Sequence, residues 1–302
     1  MKIHLDVLCV GHASYDLVFA VDHHPGADEK TFAEKFISCG GGPAANAAVT
    51  VSRLGLKSAF AGYLGNDFFG QRHLEEFSQE AVNTDLIVRS DLPTPLSAIL
   101  VKPDGQRTVV NHRGATPPLA ADCIDLARCH PQVILFDGHE PEVSLALAKA
   151  VNGRGISTVL DAGSVHRGSL TLLERVDYIV ASQKFALECT GIEDPRKAAL
   201  KLGQAGAAVV ITLGEAGLAW QNKDASGSLP AFSIDAVDTT GAGDAFHGAF
   251  AAGLAHGKPW KDLLVYASAA GALCCTKYGA RPAIPTAGDL ARFLKKHQKS
   301  GN

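Results

Sequence analysis

Apolar positions along the chain fall into two alternating kinds of run. Short, nearly continuous runs have the length and β-branched content of strands buried on both faces: DVLCVG (6–11), PQVILFDG (131–138), ISTVLDAG (156–163), DYIVAS (177–182) and AAVVITLG (207–214). Longer stretches carry helical spacing: PAANAAVTVSRL (43–54), FFGQRHLEEFSQEA (68–81) and PEVSLALAKAVNGRG (141–155). The first of these helices is well marked, with glycines before it, Pro43 in its first turn and Gly55 at its end. KSAFAGYLG (57–65) reads as one further strand, and from about 242 to 298 the chain reads as chiefly helical. Strand and helix in alternation predict an α/β fold, a three-layer α/β/α arrangement around a mostly parallel sheet.

Two segments break the alternation. LSAILVKPDGQRTVVNH (96–112) places two alternating runs around a Pro-Asp-Gly turn, a hairpin signal, and YDLVFAVDHHPGADEKTFAEKFISC (15–39) is also extended. Together, at about 14–38 and 96–112, they predict a small sheet apart from the main one, a lid. No linker or repeat divides the chain, so 1–302 is expected to be a single domain.

The stretch VDTTGAGDAFHGAFAAGLAHG (237–257) sets an aspartate, Asp244, among small apolar residues where a helix should begin. The N–H groups of Gly241, Ala242 and Gly243 in that first turn lack intrahelical acceptors and form an anion site, which glycine leaves open to close approach. A carboxylate beside a bound phosphate repels it, so Asp244 must serve the other reactant. Phosphoryl transfer to an alcohol needs such a base for the hydroxyl proton. G-x-G-D alone also fits a helix-start carboxylate on a tight turn. A second glycine-rich strand-to-helix passage, SCGGGPAANAAV (38–49), tips the balance towards chemistry. Asp16 and Asn46 stand at strand carboxyl ends, where open α/β sheets bind ligands, although each also fits a local turn or cap partner. His247, one turn beyond Asp244, and the pair Cys274–Cys275 read as core packing.

Composition narrows the partner. Twenty-eight basic against 31 acidic residues, a net charge of -3, and no dense Lys/Arg cluster argue against nucleic acid or an anionic membrane surface and for a small molecule. Seven cysteines without a C-x-x-C pair read as thiols of a reducing compartment, and no apolar run reaches membrane-spanning length. A cytoplasmic protein is expected.

On these motifs the chain resembles the ribokinase-like (PfkB) carbohydrate kinases. VDTTGAGDAFHGAF (237–250) and CGGGPAANAAVTVSRLG (39–55) resemble the family's two signatures, and VITLGEAGLAW (210–220) the segment that meets the nucleotide. The resemblance implies ATP with Mg2+, Asp244 as base, and sugar hydroxyls bound by Asp16, Gly42 and Asn46 with help from Asp28 or Lys30. It also implies nucleotide contacts at Thr212, Gly214 and Gly217, a monovalent cation such as K+ near Asp238 and Thr240, and homodimerisation through the lid. Ser182 and Phe185 depart from the family's N-x-x-E motif, and Ser268 stands where relatives often carry Asn near the adenine.

GGGPAA and FHGA are most similar to the sulfofructose kinase branch, and the Asp16–Asp28–Gly42 spacing to ketohexokinases. A ketohexose or close derivative is therefore expected. Lys30 and Asn111 match the sulfofructose branch's anion-side residues, but its arginine in FDGHEPE is replaced here by His139, which inclines the expectation towards a neutral sugar. A nucleoside kinase and a non-catalytic sugar or nucleotide sensor are the alternatives. A dinucleotide-dependent oxidoreductase lacks its G-x-G-x-x-G after the first strand, and no G-x-x-x-x-G-K-[ST] supports a P-loop kinase.

Overall fold

The computed structural model describes residues 3–127 and 129–299. The chain opens with strand β1 (Ile3–Val10), then β2 (Ser14–Ala20), β3 (Lys35–Gly41), helix α1 (Pro43–Arg53), β4 (Ser58–Ala61), β5 (Tyr63–Gly65) and α2 (Phe68–Gln79). The middle runs β6 (Val88–Ser90), β7 (Leu96–Val101), β8 (Arg107–His112), β9 (Cys129–Phe136), α3 (Pro141–Val151), β10 (Ser157–Ala162), α4 (Arg167–Leu172), β11 (Tyr178–Ser182), α5 (Gln183–Thr190) and α6 (Pro195–Leu202). It ends with β12 (Ala208–Thr212), β13 (Leu218–Gln221), β14 (Ser226–Leu229), α7 (Ala242–Ala255), α8 (Trp260–Cys274), α9 (Ala280–Ala283) and α10 (Ala287–Lys299).

Eight strands form the main sheet in the order β14-β13-β12-β11-β10-β9-β1-β4, and it is parallel from β12 to β4. Alternate side chains on each strand feed opposite cores. Val7 and Cys9 of β1 join Val133 and Leu135 of β9 beneath α1, α7 and α8; Leu8 and Val10 join Ile134 and Phe136 on the side of α3 and α5. Both faces are therefore covered, which is why these strands read as continuous apolar runs. At one edge β13 and β14 add on antiparallel, carrying the chain through VITLGEAGLAW as a hairpin.

A second sheet, β3-β2-β7-β8, stands apart. β7 and β8 are the hairpin around Pro103-Asp104-Gly105, and β2 pairs antiparallel with β3. KSAFAGYLG is two strands rather than the one expected from sequence, in two sheets: a Cβ on Gly62 would lie 2.4 Å from the Gly11 carbonyl oxygen, so the chain turns where only glycine fits.

The small residues of α1 and α7 have one purpose in packing. A Cβ on Gly248 would sit 2.7 Å from the Ala47 carbonyl oxygen and 2.6 Å from Thr50 Cβ, so the two helices cross almost backbone to backbone. That seam decides where the site lies.

Candidate active site

At the seam, Asn46 of α1 donates from Nδ2 to Asp244 Oδ2 of α7 at 2.8 Å. Asn46 is buried, and its orientation is set from behind. Arg281 of α9, 4 % exposed, donates from Nε to Asn46 Oδ1 at 3.2 Å, which leaves the amide nitrogen facing Asp244. Arg281 in turn reaches Glu76 Oε2 at 3.3 Å and stands over the Phe77 ring. Glu76 accepts the Gly40 N–H at 2.8 Å, and a Cβ on Gly40 would lie 2.8 Å from the guanidinium. Arg53, in the last turn of α1, fixes the same segment by donating to the carbonyl oxygens of Arg281 and Ile284 at 2.8 and 2.7 Å. Asp244 is thus placed by a relay from Glu76 through Arg281 and Asn46. Nothing in the linear spacing announces Arg281 or Glu76, because only the tertiary fold brings them to the seam.

Asp16 lies on β2, 4 % exposed, and accepts from the Ser14 hydroxyl at 2.8 Å. Burial pushes its carboxyl up to about 6, with Asp244 adding to the rise and the Ser14 hydroxyl and Arg281 opposing it. A Cβ on Gly41 would fall 2.1 Å from this carboxylate, so glycine is what lets β3 run beside it. Gly42 (φ 95) turns the chain into α1 where a side chain would strike the His12 carbonyl oxygen at 2.5 Å.

The turn before α7 is pinned by Asp238. Its Oδ1 accepts the Thr240 N–H and hydroxyl at 2.8 and 2.6 Å, and its Oδ2 accepts the Gly279 N–H at 2.8 Å. Gly241 (φ 77) then leads into the helix. The N–H groups of Gly241, Gly243 and Asp244 meet no protein acceptor among the described residues. That of Ala242, counted as open from the sequence, is turned to the Thr239 carbonyl at 3.3 Å, so Asp244 supplies the third open donor. His247 does not touch Asp244: it is buried, with Nε2 against the Val180 carbonyl oxygen at 3.1 Å and Nδ1 3.2 Å from Asp161, as a core histidine.

Asp16, Gly42, Asn46, Thr240, Gly241 and Asp244 line one cleft of about 310 Å³. Its other walls bring in Asn111 and His139 as read from sequence, and His12, Arg107, His112 and Arg113, which were not. Arg107, next to the hairpin tip, donates to the Thr239 hydroxyl at 2.9 Å, and that hydroxyl donates to the Gly105 carbonyl oxygen at 3.3 Å. The small sheet is therefore latched onto the turn that precedes the open N–H groups. Behind the cleft, Asp137 gathers the backbone N–H groups of His12, Ala44 and His139 at 2.7, 3.2 and 2.9 Å, tying three loops at the carboxyl ends of the strands.

Asp28 and Lys30 do not line this cleft. Both are exposed, Asp28 with φ 59 and Lys30 over the Phe32 ring, so the expectation that either helps hold the sugar is not met by their placement. Thr212 closes β12, with its hydroxyl on the Ala181 carbonyl, and Gly214 (φ 60) and Gly217 (φ 93) make the turn into β13. A Cβ on Gly217 would lie 2.0 Å from the Leu229 carbonyl oxygen. Ser268 is half-buried on α8. Ser182 caps α5 by accepting the Phe185 N–H, and Phe185 is fully buried, so neither of these two positions offers a carboxylate. Among the described residues no helix is long and apolar enough to cross a membrane.

The family profile described as pfkB family carbohydrate kinase matches residues 4–287. The chain is 29% identical over 294 residues to a ribokinase of Lactococcus lactis, covering 96% of this chain and 97% of that one. It is 28% identical over 307 residues to fructokinase-2 of Zea mays, covering 91% and 92%. It superposes with a TM-score of 0.82 on the Arabidopsis thaliana ribokinase solved with ribose and ATP, at 25% identity over 97% of this chain and 99% of that one. With a relay-held aspartate beside open helix N–H groups, the chain belongs to the PfkB family of carbohydrate kinases and is an ATP-dependent phosphotransferase.

Proposed function

We propose that the protein transfers the γ-phosphoryl group of ATP to a hydroxyl of a ketohexose or ketohexose derivative. The observation that carries this reading is Asp244, held at 2.8 Å by Asn46 beside the open N–H groups of Gly241 and Gly243, in a cleft at the small end of the range for ligand pockets. Asp16, Asn46 and Asn111 bind acceptor hydroxyls. The acceptor O–H faces Asp244, which takes the proton as the oxygen bonds to phosphorus and the bond to the β-phosphate oxygen breaks, releasing ADP. Negative charge on the transferred group falls to the open N–H groups and the dipole of α7, with Arg107 in reach from the lid. Thr212, Gly214, Gly217 and Ser268 are the proposed nucleotide side.

Magnesium would arrive with ATP as its counter-ion and would supply charge neutralisation; the protein offers it no N-x-x-E carboxylate. Asp238 is already engaged by three protein donors, the arrangement of a structural strut, and we assign no step to a monovalent cation. Among the described residues that line the cleft there is no Phe, Tyr or Trp, which disfavours a nucleoside base as acceptor. Homodimerisation through the small sheet, where Phe36 and Val110 are exposed, completes the proposal and is open to sedimentation analysis.

The test is ADP release from MgATP with fructose, fructose 1- and 6-phosphates, sulfofructose, tagatose derivatives, ribose and adenosine. Turnover of a ketohexose or its derivative is expected. Turnover confined to ribose or adenosine would overturn the ketohexose assignment.

A further inference from the structure

The cleft has two unlike ends. At one, Asp16, Asn46 and Asp244 present the acceptor oxygens and the amide that suit neutral hydroxyls. At the other, Arg113 meets His12 and His139; among the described residues that line the cleft the carboxylates are Asp16 and Asp244, both at the first end, while Glu140 lines the adjoining cavity with His12 and Arg113. The His12 and His139 rings stand 5.3 Å apart, and Arg113 Nη2 donates to the His139 carbonyl oxygen at 3.2 Å. The sequence argues against an anion clamp here because residue 139 is not arginine. In the fold, a guanidinium reaches that same loop from residue 113.

We infer that Arg113, with the imidazoles of His12 and His139, forms an anion subsite that holds a phosphate or sulfonate group carried by the acceptor sugar. This deepens the sugar-kinase reading and rests on it for the identity of the acceptor. A planar guanidinium suits a tetrahedral oxyanion through paired N–H donors, and each imidazole adds one more.

Two carboxylates stand near the corner, Glu140 and Asp137. The carboxylate nearest Arg113 is Glu140, whose Oε1 lies 3.6 Å away, beyond hydrogen-bond length, while its Oε2 takes the Leu119 N–H at 2.6 Å. Burial pushes Glu140 up to about 7, against the pull of the Leu119 N–H and the Arg113 guanidinium. His12 is held down to about 4, first by burial and then by His139, with Arg113 adding to the depression against the pull of Asp137. Asp137 spends its oxygens on the backbone N–H groups of His12, Ala44 and His139, so among the described residues no carboxylate is in hydrogen-bond contact with the Arg113 guanidinium, and an arriving anion can take its donors.

The test is binding by calorimetry to Asp244→Asn with MgADP present, using fructose, fructose 1-phosphate, fructose 6-phosphate and sulfofructose, beside turnover by the wild type. At least one anionic ligand is expected to bind ten or more times tighter than fructose; whether phosphate or sulfonate wins identifies the group. Arg113→Gln should weaken that ligand at least tenfold and raise its KM while kcat stays within about threefold. Arg113→Lys keeps the charge beside Glu140 and should recover part of the loss, which separates recognition from misfolding. Tight anionic binding through Arg113 without turnover would leave the subsite standing and strike the kinase reading alone. Equal binding of fructose and its anionic forms, or indifference to Arg113→Gln, would overturn the subsite.

Discussion

The floor of the cleft and its lid wall are built on opposite terms. On the floor, Asp16, Asn46 and Arg281 are at most 4 % exposed, and hydrogen bonds or ion pairs join them to Ser14, Asp244 and Glu76. On the wall, every residue of β8 from Arg107 to His112 is exposed, and the hairpin is tied to the floor through Gly105, Arg107 and Thr239. Proton transfer needs a carboxylate held in one place, so it is set where two helices pack without side chains between them. Recognition tolerates a mobile partner, so its cations stand on the wetter side.

Breaking the floor should cost most. Gly248→Leu places a side chain where even a Cβ meets the Ala47 carbonyl oxygen at 2.7 Å; a loss of about 3 kcal/mol or more is expected in denaturant unfolding, with activity lost alongside. Arg281→Met leaves Glu76 without its cation and frees the Asn46 amide to rotate. We expect about 3 kcal/mol of destabilisation and, in the folded fraction, a fall in kcat of about 10- to 100-fold with little change in KM for ATP.

Asp16→Asn sharpens the comparison, because the floor carries a buried charge for function rather than for stability. Its carboxyl, raised from 3.8 to about 6, binds more protons in the folded than in the unfolded chain between those pH values. The wild type therefore loses stability as pH rises through that window, and the loss is complete above about pH 7. The Asn variant should be more stable by about 1–3 kcal/mol at pH 7.5, with the gap closing below pH 4, while acceptor KM rises steeply. Thermal melts across pH check the sign. On the wall, Arg107→Ala should change stability by less than about 1 kcal/mol and act on turnover instead. An unfolding change as large as that of Arg281→Met would erase the distinction between the two walls.

Much of the floor was legible because its physics is local. GAGD and GGGPAAN are backbone statements, glycine where a chain must approach or turn, and they pointed to Asp244 and Asn46, while Gly42 came with the family resemblance; all three line the one cleft. The alternation of apolar runs likewise gave the parallel sheet, and the Pro-Asp-Gly turn gave the hairpin. The cations were not legible. Arg107 opens the exposed strand β8 and Arg113 follows it, and neither belongs to a motif; Arg281 sits 235 residues from the Asn46 it orients, a distance that no periodicity spans. Ala242 was misjudged for the opposite reason, since its N–H is diverted by the local turn at Thr239.

The central claim is that Asp244 takes the acceptor's proton, and the most direct measurement is single-turnover phosphoryl transfer by Asp244→Asn against the wild type. Asparagine keeps the shape and the contact with Asn46 but cannot accept the proton. The account predicts a rate lower by about 10²- to 10⁴-fold with ATP and acceptor affinities near those of the wild type. A rate within about tenfold of the wild type, with both ligands bound normally, would contradict it.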